Sequence, residues 1–365
     1  MRKKLVIVAS TANSLINFRY DLIKFLKKEY DIQALSKDFD PQIKNKLNKI
    51  GVFYKSYGYK KASFFSEIIS ILNLFSILKY KQDFKLISYT LRANIFCGLV
   101  SIFYKNLNHY PMITGLGNIF LAKYDSIFNY IFFLFIKICI KITLIKCKII
   151  IFQNISDKKY FNKNIIRKKS ALIPGSGVNL KNFRSYKLPK MINFVMVSRI
   201  IKNKGIEDYY DVGNYLLKKY KNIQFIFVGK KNDHYSLNNK KLFSNKKNKI
   251  VFLKWVKDIR KIFKQTSVYV LLSKREGMSR SILEAMCCGR PIITTNVPGC
   301  RETVRNNYNG FKIKFNDKKS LEKVIERFIN DPNLIKKFGR NSRKFVQKFD
   351  VEIVNSKIKK ILTSK

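Results

Sequence analysis

The chain has 365 residues, 46% of them apolar, which is enough for two cores of ordinary domain size and excludes a disordered polymer. Its 74 Lys and Arg stand against 23 Asp and Glu, a formal charge of +51, with only two His. Three readings of that charge stand side by side: a codon bias that raises Lys, Ile, Asn, Phe and Tyr together, attraction to anionic lipid or a polyanionic substrate, or nucleic-acid binding, for which no recognisable module is present. Six Cys at 97, 139, 147, 287, 288 and 300 show neither C-x-x-C nor Cys/His metal spacing and fit free thiols in a reducing compartment.

Residues 2–9 could open a signal peptide, but the apolar run is short and Ser10-Thr11 follows at once, so Leu5–Ala9 is predicted as a first buried strand. A polar loop over Thr11-Ala12-Asn13-Ser14-Leu15 and a helix over Tyr20–Lys28 follow. Strand-like runs sit at Asp31–Leu35 and Gly51–Tyr54. Residues 61–81 mix apolar pairs (Phe64-Phe65, Ile68-Ile69, Ile71-Leu72) with Lys at the ends. That pattern is an amphipathic helix, facing either a core or a membrane surface. A strand near Leu86–Tyr89 and a helix over Ile95–Phe103 come next. The most hydrophobic stretch is Ile127–Ile151, where Lys137, Lys141, Lys146 and Lys148 argue against a spanning helix. It reads as a helix followed by the strand Lys148–Phe152, with peripheral membrane contact left open. The two histidines, His109 and His234, are expected to decorate loops.

Residues 181–191 read as a polar, basic linker. Beyond it the alternation restarts. Strands are expected at Ile192–Val197, Ile223–Val228, Ile250–Leu253, Val268–Leu272, Pro291–Thr295 and Gly310–Ile313. Helices are expected over Gly205–Tyr220, Lys257–Thr266, the stretch around Glu284, Leu321–Asn330, Pro332–Phe349 and the tail after Val351. Repeated strand–helix alternation predicts two parallel-sheet α/β domains. The expected division is 1–180, the linker 181–191, 192–345, and a C-terminal helix over 346–365 that returns to the first domain. Ligands of open parallel sheets bind outside the carboxyl ends of the strands, here the loops after Val197, Val228 and Leu272.

Two of these loops carry the candidate chemistry. Glu276 and Glu284 bracket Gly277-Met278-Ser279-Arg280-Ser281-Ile282-Leu283, one acid on a strand-to-helix loop and the other inside the helix. Such a loop aims backbone N–H groups and a helix N-terminus at one spot, which suits a diphosphate, and the two carboxylates can accept hydroxyls on either side. A nucleotide sugar has that layout. The loop Ser198–Gly205 adds Arg199 and Lys204, cations placed to neutralise a departing nucleoside diphosphate. No acidic D-x-D pattern occupies an evident metal position, so no metal and no other cofactor is expected.

Ser273-Lys274-Arg275-Glu276-Gly277-Met278 through Gly289-Arg290-Pro291 resembles the signature of the family 4 retaining glycosyltransferases. Pro298-Gly299-Cys300-Arg301-Glu302, Asn309-Gly310-Phe311, Val197-Ser198-Arg199 with Lys204-Gly205, and Gly175-Ser176-Gly177-Val178-Asn179 continue the likeness. Within that family the chain most resembles bacterial enzymes that build O-antigen, capsule or lipid-linked glycans, including those adding N-acetylgalactosamine to undecaprenyl-diphosphate-linked sugars. The resemblance implies a GT-B fold, two Rossmann-like domains with parallel sheets facing across a cleft. It implies that Glu276 contacts the donor sugar, that Gly277, Met278 and Ser279 offer backbone N–H groups, that Arg199 and Lys204 hold the diphosphate, and that Glu284 accepts from the ribose. In the first half, Asn17-Phe18-Arg19, Thr90-Leu91-Arg92-Ala93-Asn94 and Thr114-Gly115-Leu116-Gly117 resemble family elements expected to face the cleft and the acceptor, which marks Arg19, Arg92, Asn94, Gly115 and Gly117; Asn13, on the loop after the first strand, is a further binding candidate.

Two departures accompany the likeness. The loop after the first strand lacks the glycines many relatives carry, and no His lies near 88–94, so no general base is assigned. The activity implied is transfer of a hexose or N-acetylhexosamine from a UDP-sugar to a polyprenyl-diphosphate-linked glycan, in the cytoplasm and peripherally at the inner face of the membrane, with no nucleic-acid partner. The competing readings are a UDP-sugar epimerase on the same fold and a non-catalytic basic membrane-binding module.

Overall fold

A computed structural model describes residues 2–59, 63–79, 84–104, 107–115, 126–230 and 249–364. The described residues form two compact units, Met1–Ser176 with Val351–Lys365, and Gly177–Asp350.

The first unit is built on strands β1 (Lys3–Ala9), β2 (Tyr30–Ser36), β3 (Phe53–Ser56), β4 (Phe84–Tyr89), β5 (Asn108–Ile113), β6 (Ile150–Phe152) and β7 (Ser170–Leu172). They pair in the order β3-β2-β1-β4-β5-β6-β7, every pair parallel. The unbroken apolar run Leu5–Ala9 is buried on both faces, as a central parallel strand requires. Its helices are α1 (Ala12–Leu26), α2 (Pro41–Asn48), α3 (Phe64–Lys79), α4 (Leu91–Ile102), α5 (Ile127–Ile145) and α6 (Ile155–Asn164). The order turns back at β3, and right-handed crossovers therefore put α1 and α2 on one face and α3 to α6 on the other. The packing follows: Leu5, Ile7 and Ile32 join α1 and α2 in one core, while Val6, Val8 and Leu86 join α3 and α4 in another.

The second unit contains β8 (Ile192–Val197), β9 (Ile223–Val228), β10 (Val251–Leu253), β11 (Val268–Leu271), β12 (Ile292–Thr295) and β13 (Gly310–Ile313), in the order β10-β9-β8-β11-β12-β13, again all parallel. Its helices are α7 (Ile206–Lys219), α8 (Arg260–Lys264), α9 (Arg280–Cys287), α10 (Lys318–Asn330) and α11 (Asn333–Phe345). The chain then returns, and α12 (Val351–Thr363) packs on α1 within the first unit through Val354, Ile358 and Leu362. Residues 181–191 belong to the second unit, where Phe183 and Leu188 pack on its core.

Two expectations are corrected, and four elements are added to them. Residues 12–15 are not a loop: α1 begins at Ala12, whose N–H donates to Asp38 Oδ1 at 2.6 Å, a tertiary cap that local sequence does not announce. His109 does not decorate a loop; it is fully buried in β5. The helices α2 and α6 and the strands β5 and β7 are additional to the predicted elements. Asp40, Pro41 and Asn154 do carry cap chemistry: Asp40 Oδ1 accepts from the Gln42 and Ile43 amides at 2.9 and 3.2 Å, and Asn154 Oδ1 from the Asp157 amide at 2.8 Å. His234 and Gly117 lie outside the described residues.

Candidate functional site

In the second unit the carboxyl ends of β8 and β11 adjoin because these strands pair directly. The loop after β8 turns through a 3-10 segment, Lys202–Lys204, into α7 at Gly205, whose φ of +66° a side chain would resist. A Cβ there would also lie 2.5 Å from the Leu272 carbonyl oxygen, so glycine is what lets the two loops touch. That approach delivers Lys204 to Glu276. The Lys204 ammonium donates to Glu276 Oε1, and Ser273 Oγ donates to the same oxygen at 2.7 Å. Both charged side chains are largely buried, at 13% and 20% exposure, which makes the pair far less solvent-screened than a surface ion pair.

The backbone of 273–279 is held from outside. The Lys274 amide donates to the Asn203 carbonyl at 2.9 Å. The Glu276 amide donates to the Pro298 carbonyl and the Ser279 amide to the Gly299 carbonyl, each at 3.0 Å. Gly299 itself, at φ +79°, donates its N–H to Glu302 Oε2 at 2.8 Å. Pro298-Gly299 is thus a clamp on the Glu276 loop. One sequence expectation is corrected by it: the Ser279 N–H is engaged with Gly299. Met278 is half-buried and packs on the unit's core.

Ser279 has extended backbone and caps α9, whose first intrahelical bond runs from the Leu283 amide to the Ser279 carbonyl at 3.3 Å. The helix's N-terminal turn, with its partial positive charge, therefore opens at this edge. Glu284 sits one turn further, mostly buried, and accepts from Arg280 Nε at 2.9 Å across an i,i+4 spacing. Burial raises its carboxyl above the ordinary range, opposed by Arg280. The buried Tyr269 phenol on β11 donates to the Val197 carbonyl at 3.2 Å and is pushed up first by burial and then by Glu284 and Glu276. Arg199 is exposed on the same loop as Lys204 and pairs with no carboxylate among the described residues. The second unit thus gathers Arg199, Lys204, Glu276 and Glu284 at one sheet edge. Ser273, Pro298 and Gly299 were legible as motif letters, but their work of holding Glu276 appears only in the geometry.

The first-unit candidates divide. Asn13 is exposed on the first turn of α1, and Arg92 is exposed on α4 with Nη1 3.7 Å from Glu67 Oε1. Glu67, unread in the sequence, also accepts from the buried Lys37 at 2.5 Å and so joins the ends of β2, α3 and α4. Gly115, at φ +131°, follows the end of β5. Two others point inward. Arg19 is buried with its guanidinium 4.9 Å from the Tyr89 ring centre. Asn94 is buried, accepting from Ser88 Oγ at 2.7 Å and donating to the Met112 carbonyl at 2.9 Å, so the fold engages both ends of its amide. Thr90, at φ +73°, adds a strained turn at this edge, bonded through its hydroxyl to Ser10.

Residues 180–345 match the family described as glycosyl transferases group 1. The N,N'-diacetylbacillosaminyl-diphospho-undecaprenol alpha-1,3-N-acetylgalactosaminyltransferase of Campylobacter jejuni is 24% identical over 366 residues, covering 95% of each chain. The capsular polysaccharide biosynthesis glycosyltransferase CapM of Staphylococcus aureus is 26% identical over 349 residues, covering 91% of this chain and 90% of its own. Among solved structures, HepE of Anabaena in complex with UDP and glucose superposes with a TM-score of 0.81 at 16% identity over the whole of both chains. The chain shares with these structures the GT-B fold of two parallel-sheet Rossmann-like α/β units.

Proposed function

We propose that this chain, a glycosyltransferase whose residues 180–345 form the group 1 domain, moves a hexose or N-acetylhexosamine from a UDP-sugar to a polyprenyl-diphosphate-linked glycan with retention of configuration. The observation that carries the reading is the Lys204–Glu276–Ser273 cluster beside the opening of α9, with Glu284 one turn away. The donor set fits a nucleoside diphosphate sugar. Arg199, Lys204 and the α9 N-terminus supply positive potential for the diphosphate. Glu276 meets the sugar hydroxyls and Glu284 the ribose hydroxyls. As the sugar–phosphate bond breaks, negative charge grows on the departing UDP, and cations fixed beforehand in a half-buried loop stabilise that state more than the bound substrate.

The acceptor reading rests on the full-length relatives. The Campylobacter enzyme's name gives a diphospho-undecaprenol acceptor and an N-acetylgalactosamine donor group, and the CapM name gives capsule synthesis. A UDP donor is supported by the UDP seen in HepE. A peripheral position at the inner face of the cytoplasmic membrane follows from such an acceptor. The +51 charge favours an anionic surface, and no helix among the described residues is long and apolar enough to cross a membrane.

The test is transfer with a UDP-sugar and a lipid-linked acceptor that the wild type uses. Glu276→Ala should lower the rate by about a hundredfold or more, the scale of a lost transition-state contact. Near-normal turnover would refute the role.

A further inference from the structure

We propose that the first unit inserts the outer faces of α5 and α3 into the acyl region of an anionic bilayer, with lysines meeting the headgroups. This deepens the peripheral placement proposed above and rests on it, but not on the transfer chemistry.

The helix α5 is apolar on both sides. Its inward stripe, Phe133, Ile136, Ile140 and Leu144, packs under the sheet. Its outward stripe, Phe128, Ile131, Phe135, Ile138, Ile142 and Ile145, repeats at steps of three and four residues and is 42–80% exposed together with Ile127 at its head. The helix cannot roll to hide that stripe. Gly98 on α4 meets Thr143 on α5 so closely that a Cβ would lie 2.1 Å from Thr143 Cβ, which fixes the inward face against α4. The neighbouring α3, which also packs on α4, presents Phe64, Phe65, Ile68 and Leu72, with Phe64 76% exposed. Two helices that flank α4 thus each expose a run of large apolar side chains, where an ordinary soluble face carries them singly.

Charge decides what covers it. Neither stripe holds a free acid: α5 carries Lys137 and Lys141 and no Asp or Glu, and the single acid of α3, Glu67, is taken up by Lys37 and Arg92. A second copy docked across a two-fold axis would set these lysines against their equivalents, between chains of +51 each. An anionic bilayer takes up the apolar stripes and neutralises the rim, and Lys side chains reach the headgroups along their stems. The depth is interfacial, since α5 has 19 residues interrupted by two lysines.

Flotation of the full chain with phosphatidylethanolamine–phosphatidylglycerol vesicles tests the proposal. Wild type should float at low salt and keep a measurable fraction bound at 0.5 M salt, because apolar insertion is not screened. Ile131→Ser with Phe135→Ser and Ile138→Ser should lower partitioning about tenfold or more at both salts. Lys137→Gln with Lys141→Gln should lower it at low salt only. UDP affinity by calorimetry should stay unchanged in both variants, which separates misfolding from lost insertion. A fluorophore on Phe135→Cys, in a Cys139→Ser background, should be quenched by brominated acyl chains. A serine variant that floats like wild type, no quenching, or a wild type that ignores vesicles and forms a dimer the serine variant dissolves would each overturn the proposal. Inactive but floating wild type would instead sink the acceptor reading and leave this one standing.

Discussion

At the scale of single residues, His109, a natural first suspect for acid–base work, leads away from the site. His109 is buried in β5, and its pKa is lowered to about 3 because burial disfavours the imidazolium. Ser88 Oγ gives its proton to Asn94, so the imidazole must donate from Nε2 to Ser88 Oγ at 2.7 Å, which fixes a neutral tautomer. In the unfolded chain the ring titrates near pH 6.5. Between about 6.5 and 3 the unfolded state binds a proton that the native state refuses, so stability present above pH 6.5 is lost as pH falls, by about 1.4 kcal/mol per pH unit. His109→Gln keeps a donor for Ser88 and removes the titration. Urea melts between pH 6 and 4 should show a shallower acid loss in that variant by this amount; equal slopes would mean that His109 protonates in the fold. Arg199 makes the opposite case, an exposed cation with no structural partner among the described residues. Arg199→Ala should leave melting unchanged and weaken UDP binding by about 1.5–3 kcal/mol, the scale of a charge-assisted hydrogen bond. Unchanged UDP affinity by calorimetry would remove Arg199 from the site.

At the scale of elements, the site is a set of loops fixed by other loops. Pro298 and Gly299 hold the Glu276 loop by accepting from the Glu276 and Ser279 amides, and a Cβ on Gly299 would lie 2.3 Å from the Glu276 carbonyl oxygen at a φ that side chains resist. Gly299→Ala should therefore displace the loop, costing about 1–3 kcal/mol of stability and at least about tenfold in UDP affinity. Gly310→Ala is the control: its Cβ would meet the Ile292 carbonyl oxygen at 1.8 Å, so it destabilises the sheet at the opposite ends of the strands. With both variants assayed where they remain folded, only Gly299→Ala should lose UDP. Equal losses would make Gly299 a stability residue and no more. The same elements show what sequence could and could not convey. Strands β1, β8, β9 and β11 were legible as apolar runs bounded by loops, and Glu276 and Glu284 by their spacing within such a loop. The strand β5 was not, because Asn108, His109 and Pro111 break the apolar pattern. The ring's Nε2 is met by Ser88, and the strand's Pro lies outside the short ladder with β6, which starts at Met112. Nor was the pairing of Lys204 with Glu276, which depends on Gly205 meeting Leu272, a contact between positions far apart in the chain.

At the scale of the whole molecule, chain order and spatial order part company after Asp350, where the chain leaves the second unit to complete the first. The last helix is more than a tail. Val354, Ile358 and Leu362 are fully buried in the same core as Leu15, Leu22 and Ile7, and Lys85 donates to the Leu362 carbonyl while Lys359 pairs with Glu29. Burying three such side chains is worth about 1.5–3 kcal/mol each, or roughly 4.5–9 kcal/mol together. Domains of this size are stable by only about 5–15 kcal/mol in all. Truncation after Asp350 should therefore remove most of the stability of residues 1–176 while sparing 177–350, whose core draws nothing from the deleted helix. Calorimetry with limited proteolysis should show early melting and cleavage mapping to 1–176. UDP binding should persist, because Arg199, Lys204, Glu276 and Glu284 all lie in the unit that stays folded. Loss of UDP binding together with loss of the first unit would mean that residues outside Gly177–Asp350 hold the nucleotide, and the assignment of the diphosphate to the second sheet's edge would have to be withdrawn.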